Sequence, residues 1–123
     1  MENTGYHKLI VFQKSKQLVL LVYQITQNFP KNETFGLVPQ MRRAAISVPA
    51  NIVEGYSKSS TKDYIRFLDI SVGSLSELEF YFEISLELKY LDQNNYNKTT
   101  ELSLEVRKLL RSFQKSLRQR VVD

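Results

Sequence analysis

The sequence contains no cysteine and no tryptophan, and its single histidine, His7, lies close to the amino terminus. Without cysteine, the chain has no disulfide, no thiolate ligand for zinc and no thiol nucleophile. With one histidine, the pairings of serine or cysteine with a histidine base lose their key member, as do histidine-ligated metal sites. These absences exclude many of the common catalytic and metal-binding sites.

Glycine and proline are also scarce, with four and three residues. So few turn-forming residues disfavour a β fold with many turns. No apolar run approaches the roughly 20 residues that a membrane-spanning helix needs. The opening residues, MENTGYHKLI, lack the basic and then apolar pattern of a signal peptide. We therefore expect a cytoplasmic protein without a membrane partner.

Apolar residues instead recur with helical spacing in four long segments. These segments cover about residues 8–28, 37–55, 61–90 and 94–117, and short polar breaks separate them. Ser60 or Thr61 can cap the third segment, and Pro39 is tolerated in the first turn of the second. Short connections predict an all-α fold, an antiparallel up-down four-helix bundle, in a single domain of residues 1–123.

The third segment has an unusually wide apolar surface. Two seams with helical spacing run along it, displaced from each other by about 100°. Such a helix packs between two bundle neighbours, or part of its surface meets another subunit. The run LVLLVY at residues 18–23 is apolar all round and points the same way. We expect self-association. The first seam comprises Tyr64, Leu68, Ser71, Leu75, Leu78, Phe82 and Ser85, and the second Phe67, Ile70, Ser74, Tyr81, Ile84 and Leu88.

The second segment, PQMRRAAISVPANIVEGYSK at residues 39–58, places a helix breaker and an acid among apolar residues. A buried Glu54 could act as an acid or base, with Asn51 one turn away. The structural alternative, which we favour, has Glu54 accepting hydrogen bonds from an arginine or a neighbouring helix. In that alternative Asn51 satisfies backbone groups that Pro49 loosens, and Gly55 closes the helix. The arginine pair, Arg42 and Arg43, either bonds Glu54 and the acids of the third helix or contacts nucleic acid.

The basic residues are better grouped than the net charge of +4 suggests. Arg107, Arg111 and Arg118 recur on one face of the fourth helix. An up-down bundle brings its first residues, the second connection and the end of the fourth helix together. One end would then collect Lys8, Lys14, Lys16, Lys58, Lys62, Arg66, Lys115, Arg118 and Arg120, and the other Glu33, Glu79, Glu83, Glu87, Asp92 and Glu101.

A positive end of this kind suits phosphates. The alternative is an ordinary solvated surface with internal ion pairs, such as one from Asp69 to Arg118. The aromatic residues are interpreted as core and interface. No phosphate-binding loop, dinucleotide fingerprint or Glu-x-x-His motif occurs, so we expect neither an enzyme nor a cofactor or metal site.

The order of these residues carries a resemblance. The motif FGL-x-x-QMRRAA-x-S-x-P-x-NI-x-EG, followed by GSLSELE, closely resembles the bacterial four-helix-bundle family named after the 23S ribosomal RNA intervening-sequence protein. The resemblance covers roughly residues 11 to 90. It implies an antiparallel four-helix bundle that assembles as a ring-shaped homopentamer, without enzymatic activity. The family is similar to accessory proteins of diversity-generating retroelements, which bind nucleic acid and a reverse transcriptase through basic surfaces.

Together these observations predict a non-catalytic homo-oligomer that binds RNA or DNA through a basic surface and is associated with ribosomes or ribosomal RNA. The candidate contacts are Lys58, Lys62, Arg66, Arg107, Arg111, Lys115, Arg118, Arg120, Arg42 and Arg43. The alternative is a scaffold or accessory subunit that binds a protein partner and no nucleic acid.

Overall fold

The computed structural model describes residues 5–121 and contains four long α-helices. They are α1 (Ile10–Thr26), α2 (Leu37–Tyr56), α3 (Thr61–Glu87) and α4 (Gln93–Arg118). Short 3₁₀ turns precede α1 at Gly5–Lys8 and lie between α1 and α2 at Lys31–Glu33. The helices begin and end within a few residues of the positions that the hydrophobic periodicity predicts. Residues 1–4 and 122–123 of the predicted domain lie outside the described part.

Consecutive helices pack against each other, and α4 returns against α1 to close the bundle. The all-α up-down four-helix bundle is thus confirmed. The connection between α2 and α3 occupies only residues 57–60, and the Ser60 side chain caps α3 by accepting a hydrogen bond from the backbone N–H of Asp63 at 3.3 Å. Lys89 ends α3 in the left-handed conformation, with φ of 65°.

The core lies on the axis of the bundle. The first seam of α3 is confirmed as its contribution, because every member from Leu68 to Ser85 is buried. The second seam lies toward the surface, where Ile70 is 42% and Leu88 49% exposed. Part of the wide apolar surface of α3 is therefore not covered within one chain. The other helices contribute Val11, Leu18, Val22 and Ile25 from α1, Met41, Ala44, Ala45, Val48 and Ile52 from α2, and Val106, Leu110 and Leu117 from α4.

Polar side chains in the core fix how the helices face each other. Ser71 donates to the carbonyl of Val48 at 2.8 Å, which joins α3 to α2. Gln114 is fully buried and donates to the carbonyl of Ile65 at 3.2 Å and to Asp69 at 2.8 Å, which joins α4 to α3. A helix that slid or rotated would lose these bonds. Such a movement is unfavourable, because a buried polar group without a partner costs free energy.

Candidate nucleic-acid interface at one end of the bundle

Three parts of the chain meet where α1 and α3 begin and α2 and α4 end. Here we call the described residues 5–9, 54–66 and 115–121 the basic end. Ring contacts connect these parts: Tyr6 lies 5.9 Å from Tyr56, and Tyr56 lies 6.4 Å from Tyr64, between ring centroids. Tyr64 in turn contacts Phe113 of α4 at 5.3 Å. The end on which we expected the cations to gather is therefore assembled as the up-down topology predicts, but Lys14 of the expected group instead pairs with Glu105 of α4 at 3.3 Å.

Five cations of the basic end have no carboxylate within ion-pair distance among residues 5–121, and four of them belong to the predicted contacts. Lys62 is exposed on the first turn of α3, and Lys115 and Arg118 are exposed on the last turns of α4. Cations without internal partners keep their full charge available to an anion. The five are Lys8, Lys62, Lys115, Arg118 and Arg120.

Lys58 and Arg66 lie at the same end but have internal partners. Lys58 pairs with Glu54 at 3.6 Å, and Arg66 pairs with Asp63 at 3.4 Å. Both cations also lie over the ring of Phe67, at 5.1 and 4.9 Å from its centroid. Exposed pairs of this kind are weak, so both side chains can exchange their carboxylate for a phosphate at little cost.

The structure separates Arg107 and Arg111 from this group. Arg107 forms an ion pair with Glu79 and donates to Ser76 at 3.0 Å. Arg111 pairs with Asp69 at 3.4 Å, so the example given for the solvated-surface alternative, a pair from Asp69 to Arg118, is not the pair that forms. Helical rotation explains the difference, since Arg111 faces α3 three residues before Gln114, which bonds the same carboxylate. These two arginines hold α4 against α3.

The arginine pair of α2 also has internal partners. Arg42 donates to Thr26 at 3.0 Å and to the carbonyl of Tyr23 at 3.4 Å, and its guanidinium lies 4.4 Å from the centroid of the Tyr23 ring. Arg43 pairs with Glu77 at 2.8 Å. A hydrogen bond from Tyr81, followed by the one from Arg43, lowers the pKa of Glu77. The alternative in which an arginine bonds an acid of the third helix therefore holds for Arg43.

Glu54 is not the buried acid that the apolar pattern suggests. Its side chain is 55% exposed, and its ion-pair partner is Lys58, one turn along the chain. The expected bond to Arg42 or Arg43 is wrong, because both arginines point toward other helices. An exposed carboxylate with one weak partner has no environment that would prepare it for acid–base chemistry.

The neighbours of Glu54 have structural contacts. Helix α2 continues through Pro49, which has no N–H for the carbonyl of Ala45. Asn51 does bond the backbone, but it donates to the carbonyl of Ser47 at 2.8 Å rather than to Ala45. Gly55 is buried where α2 crosses α3, and a Cβ atom there would lie 2.6 Å from the Tyr64 ring.

An aromatic cluster at the basic end was missed by the sequence interpretation. Tyr6 stacks on His7 at 4.2 Å and meets the edge of Phe12 at 5.0 Å, and the contacts continue through Tyr56 and Tyr64. Burial, with the nearby Tyr56 adding to it, raises the pKa of Tyr64 to about 12 against the opposing effect of Arg120. The available signal was the position of Tyr56 and Tyr64 on either side of a connection that also holds Lys58 and Lys62.

Two acids of the opposite end, Glu33 and Asp92, have structural contacts at helix N-termini. Glu33 accepts hydrogen bonds from the backbone N–H of Leu37 and from the hydroxyl of Tyr90, both at 3.0 Å. Next to this fixed loop, Phe35 is 96% exposed. A groove of about 890 Å³ runs beside the loop between α1 and α2, with Arg42 among its lining residues.

Within residues 5–121, no three side chains of the histidine, cysteine, aspartate and glutamate types are grouped as a metal site. No helix in that part of the chain is long and apolar enough to cross a membrane.

Comparison with known proteins adds two findings. The family model of the 23S rRNA-intervening sequence protein matches residues 7–112. A crystal structure of a protein of unknown function from the S23 ribosomal protein family of Bacteroides thetaiotaomicron is similar to this chain, with a TM-score of 0.78 and 28% sequence identity. That similarity covers 86% of this chain and 99% of the other. No curated protein matches the sequence.

Proposed function

This chain belongs to the 23S rRNA-intervening sequence protein family, and from that membership we propose that it is a non-catalytic, homo-oligomeric RNA- or DNA-binding protein. The nucleic acid contacts the basic end. The name of the family and that of the similar S23 protein favour ribosomal RNA as the ligand and the cytoplasm as the location.

One observation carries the proposal: the basic end holds seven cations and two carboxylates among the described residues. The simplest partners for these cations are the phosphate groups of a nucleic acid, since each contact releases counterions from the nucleic acid. The cations of the basic end come from several elements and lie together at one end of the bundle. The paired arginines of α2 and α4 instead lie along the contacts between helices. Contacts with phosphates alone give little sequence preference.

We propose a ring-shaped homopentamer, as the family resemblance implies. Apolar side chains that one chain leaves open support self-association, including Ile46 of α2, Ile70 and Phe80 of α3, and Leu20 of α1, each at least 42% exposed. In a closed ring all protomers point the same way along the axis, so the basic ends share one face. Several weak phosphate contacts then act on one strand together.

Binding to RNA, DNA and inorganic polyphosphate across a series of salt concentrations tests the proposed ligand class. We expect all three to bind at low salt, with affinity that falls steeply as salt rises. If none of RNA, DNA and polyphosphate bound at low salt, the proposal would be contradicted. Light scattering at micromolar concentration tests the assembly: a pentamer is expected, a dimer would refute the ring, and a monomer would refute self-association altogether.

A scaffold that binds a protein partner is the second candidate function, and Phe35 favours it. A fully exposed ring on a loop that Glu33 holds in place is the kind of anchor that protein interfaces use. Gly36 follows the ring, and a Cβ atom there would lie 2.7 Å from the Glu33 carboxylate. Under this alternative, Phe35→Ala abolishes partner binding while polyanions fail to bind.

A further inference from the structure

Tyr56 differs from the other exposed apolar side chains of the protein by its surroundings. It ends α2, and 47% of its surface is open to solvent. Two rings contact it, Tyr6 and Tyr64, at interplanar angles of 71° and 86°. Gly5 also lies close, since a Cβ atom there would be 3.4 Å from the Tyr56 hydroxyl. The ring is therefore held in place by its neighbours and is still half open.

Positive charge is in excess around this ring. Lys58 follows Tyr56 by two residues, and Lys62 lies in the first turn of the next helix. Arg120, which follows α4, is near enough to Tyr64 to act on its hydroxyl electrostatically. Tyr56 thus combines two features of surfaces that bind single strands: cations for the backbone and a fixed aromatic ring for a base.

Phe67 is the other aromatic residue among these cations, but it has a different role. Lys58 and Arg66 both lie over its ring, so the ring is already occupied by cations. Tyr56 has no cation over its ring among the described residues, and it remains available.

Resting on the proposed function, we propose that the ligand of the basic end is a single-stranded nucleic acid, with one base stacked on Tyr56. A duplex keeps its bases stacked inside and offers this end only its phosphates. A single strand offers phosphates to Lys62 and Arg118 and a base to the ring. Since every base has an aromatic face, stacking adds affinity for single strands without a strong sequence preference.

The test compares three ligands: a labelled single-stranded RNA of about 16 nucleotides, the same strand annealed to its complement, and inorganic polyphosphate as a competitor without bases. Fluorescence anisotropy gives the affinities of the full chain and of three variants. Tyr56→Leu removes the ring, Tyr56→Phe keeps it, and Phe35→Leu removes an exposed ring at the opposite end of the bundle. Circular dichroism and light scattering check that each variant is folded and assembled.

We expect Tyr56→Leu to weaken single-strand binding about 5- to 30-fold and to leave duplex and polyphosphate binding unchanged. Tyr56→Phe and Phe35→Leu should bind all three ligands as the native protein does. Equal single-strand affinity for Tyr56→Leu and the native protein would overturn the inference, as would equal losses for all three ligands. A native protein that binds none of the ligands would instead refute the proposed function itself.

Discussion

Charge is used differently at the two ends of the bundle. At the basic end, five cations have no carboxylate partner within residues 5–121, and the neutral Ser60 caps α3. At the opposite end, acids serve the fold: Glu33 caps α2, and Asp92 caps α4 by accepting from the backbone N–H of Asn95 at 2.8 Å.

The two ends also differ in how their charged residues interact with the helix dipoles. A carboxylate at a helix N-terminus is stabilising, and a lysine there is destabilising by a fraction of a kcal/mol. Glu33 and Asp92 follow that rule. In the first turn of α3, Asp63 follows it and Lys62 opposes it, while Lys115 and Arg118 are favourably placed in the last turn of α4. A charge that opposes local stability is better explained by a ligand than by the fold. The cations of the basic end should therefore be tested for binding, and the acids of the opposite end for stability.

The largest effect is expected from neutralising the unpaired cations. The triple variant Lys62→Gln, Lys115→Gln, Arg118→Gln should weaken RNA binding about 10- to 100-fold at low salt and flatten the salt dependence, because three phosphate contacts are lost. Its stability should hardly change. The matched control neutralises three lysines of the other end, Lys31, Lys89 and Lys98. If both triples lost affinity equally, binding would follow total charge and the comparison of ends would fail.

A smaller effect, on stability, is expected at the opposite end. Glu33→Ala removes the acceptor of the Leu37 N–H and of the Tyr90 hydroxyl, which should lower the free energy of unfolding by about 1–2 kcal/mol. RNA binding should be unchanged. Urea denaturation measures the first quantity and anisotropy the second. Glu87→Ala, which removes an exposed acid from the end of α3, serves as the control. An unaltered unfolding midpoint for Glu33→Ala would contradict the capping role.

Tyr64 gives a third prediction, which depends on pH. Its hydroxyl oxygen is buried without a hydrogen-bond partner among the described residues, so Tyr64→Phe should stabilise the protein by about 1 kcal/mol. Burial raises the pKa of Tyr64 from 10.0 to about 12. The folded state thus holds this proton more tightly, and the stability that depends on it is complete below pH 10 and is lost as pH rises toward 12.

Thermal unfolding between pH 9 and 12 checks this expectation, with limits that bracket the unfolded and folded pKa of the tyrosine. Tyr64→Phe should lose less stability over that range than the native protein. Tyr96→Phe is the control, since its ring lies near the start of α4 at the opposite end. Parallel curves for Tyr64→Phe and the native protein would show that the buried hydroxyl has no part in alkaline unfolding.

The smallest effect is expected for Glu54→Gln. An exposed carboxylate paired with Lys58 at 3.6 Å contributes about 0.5 kcal/mol or less. The substitution also frees Lys58 for a phosphate, so RNA binding should strengthen slightly. Chemical denaturation and anisotropy measure the two quantities. A loss of more than about 1 kcal/mol would restore the structural role that the sequence pattern suggested for this acid.

The sequence predicts the helices and the buried seam of α3 because both depend on a periodicity that local packing enforces. Side-chain partners depend on helix rotation, which periodicity does not resolve to one position. Asp69, the example partner for Arg118 in the solvated-surface alternative, therefore bonds Arg111 instead. The aromatic cluster eluded prediction for a related reason. Its rings come from distant parts of the chain, and only their meeting at one end distinguishes them from core residues.

The position of the basic end within the chain has a consequence for synthesis. Adjacent helices with short connections can pair soon after they emerge, and the connection from α2 to α3 spans only residues 57–60. The basic end also needs residues 115–121, which are translated after almost everything else described. A ribosome-bound chain therefore exposes the lysines of residues 5–9 and 54–66 before residues 115–121 complete the basic end. Under the proposed function, RNA binding begins only after α4 has packed, which would keep a nascent chain from binding the RNA that surrounds it.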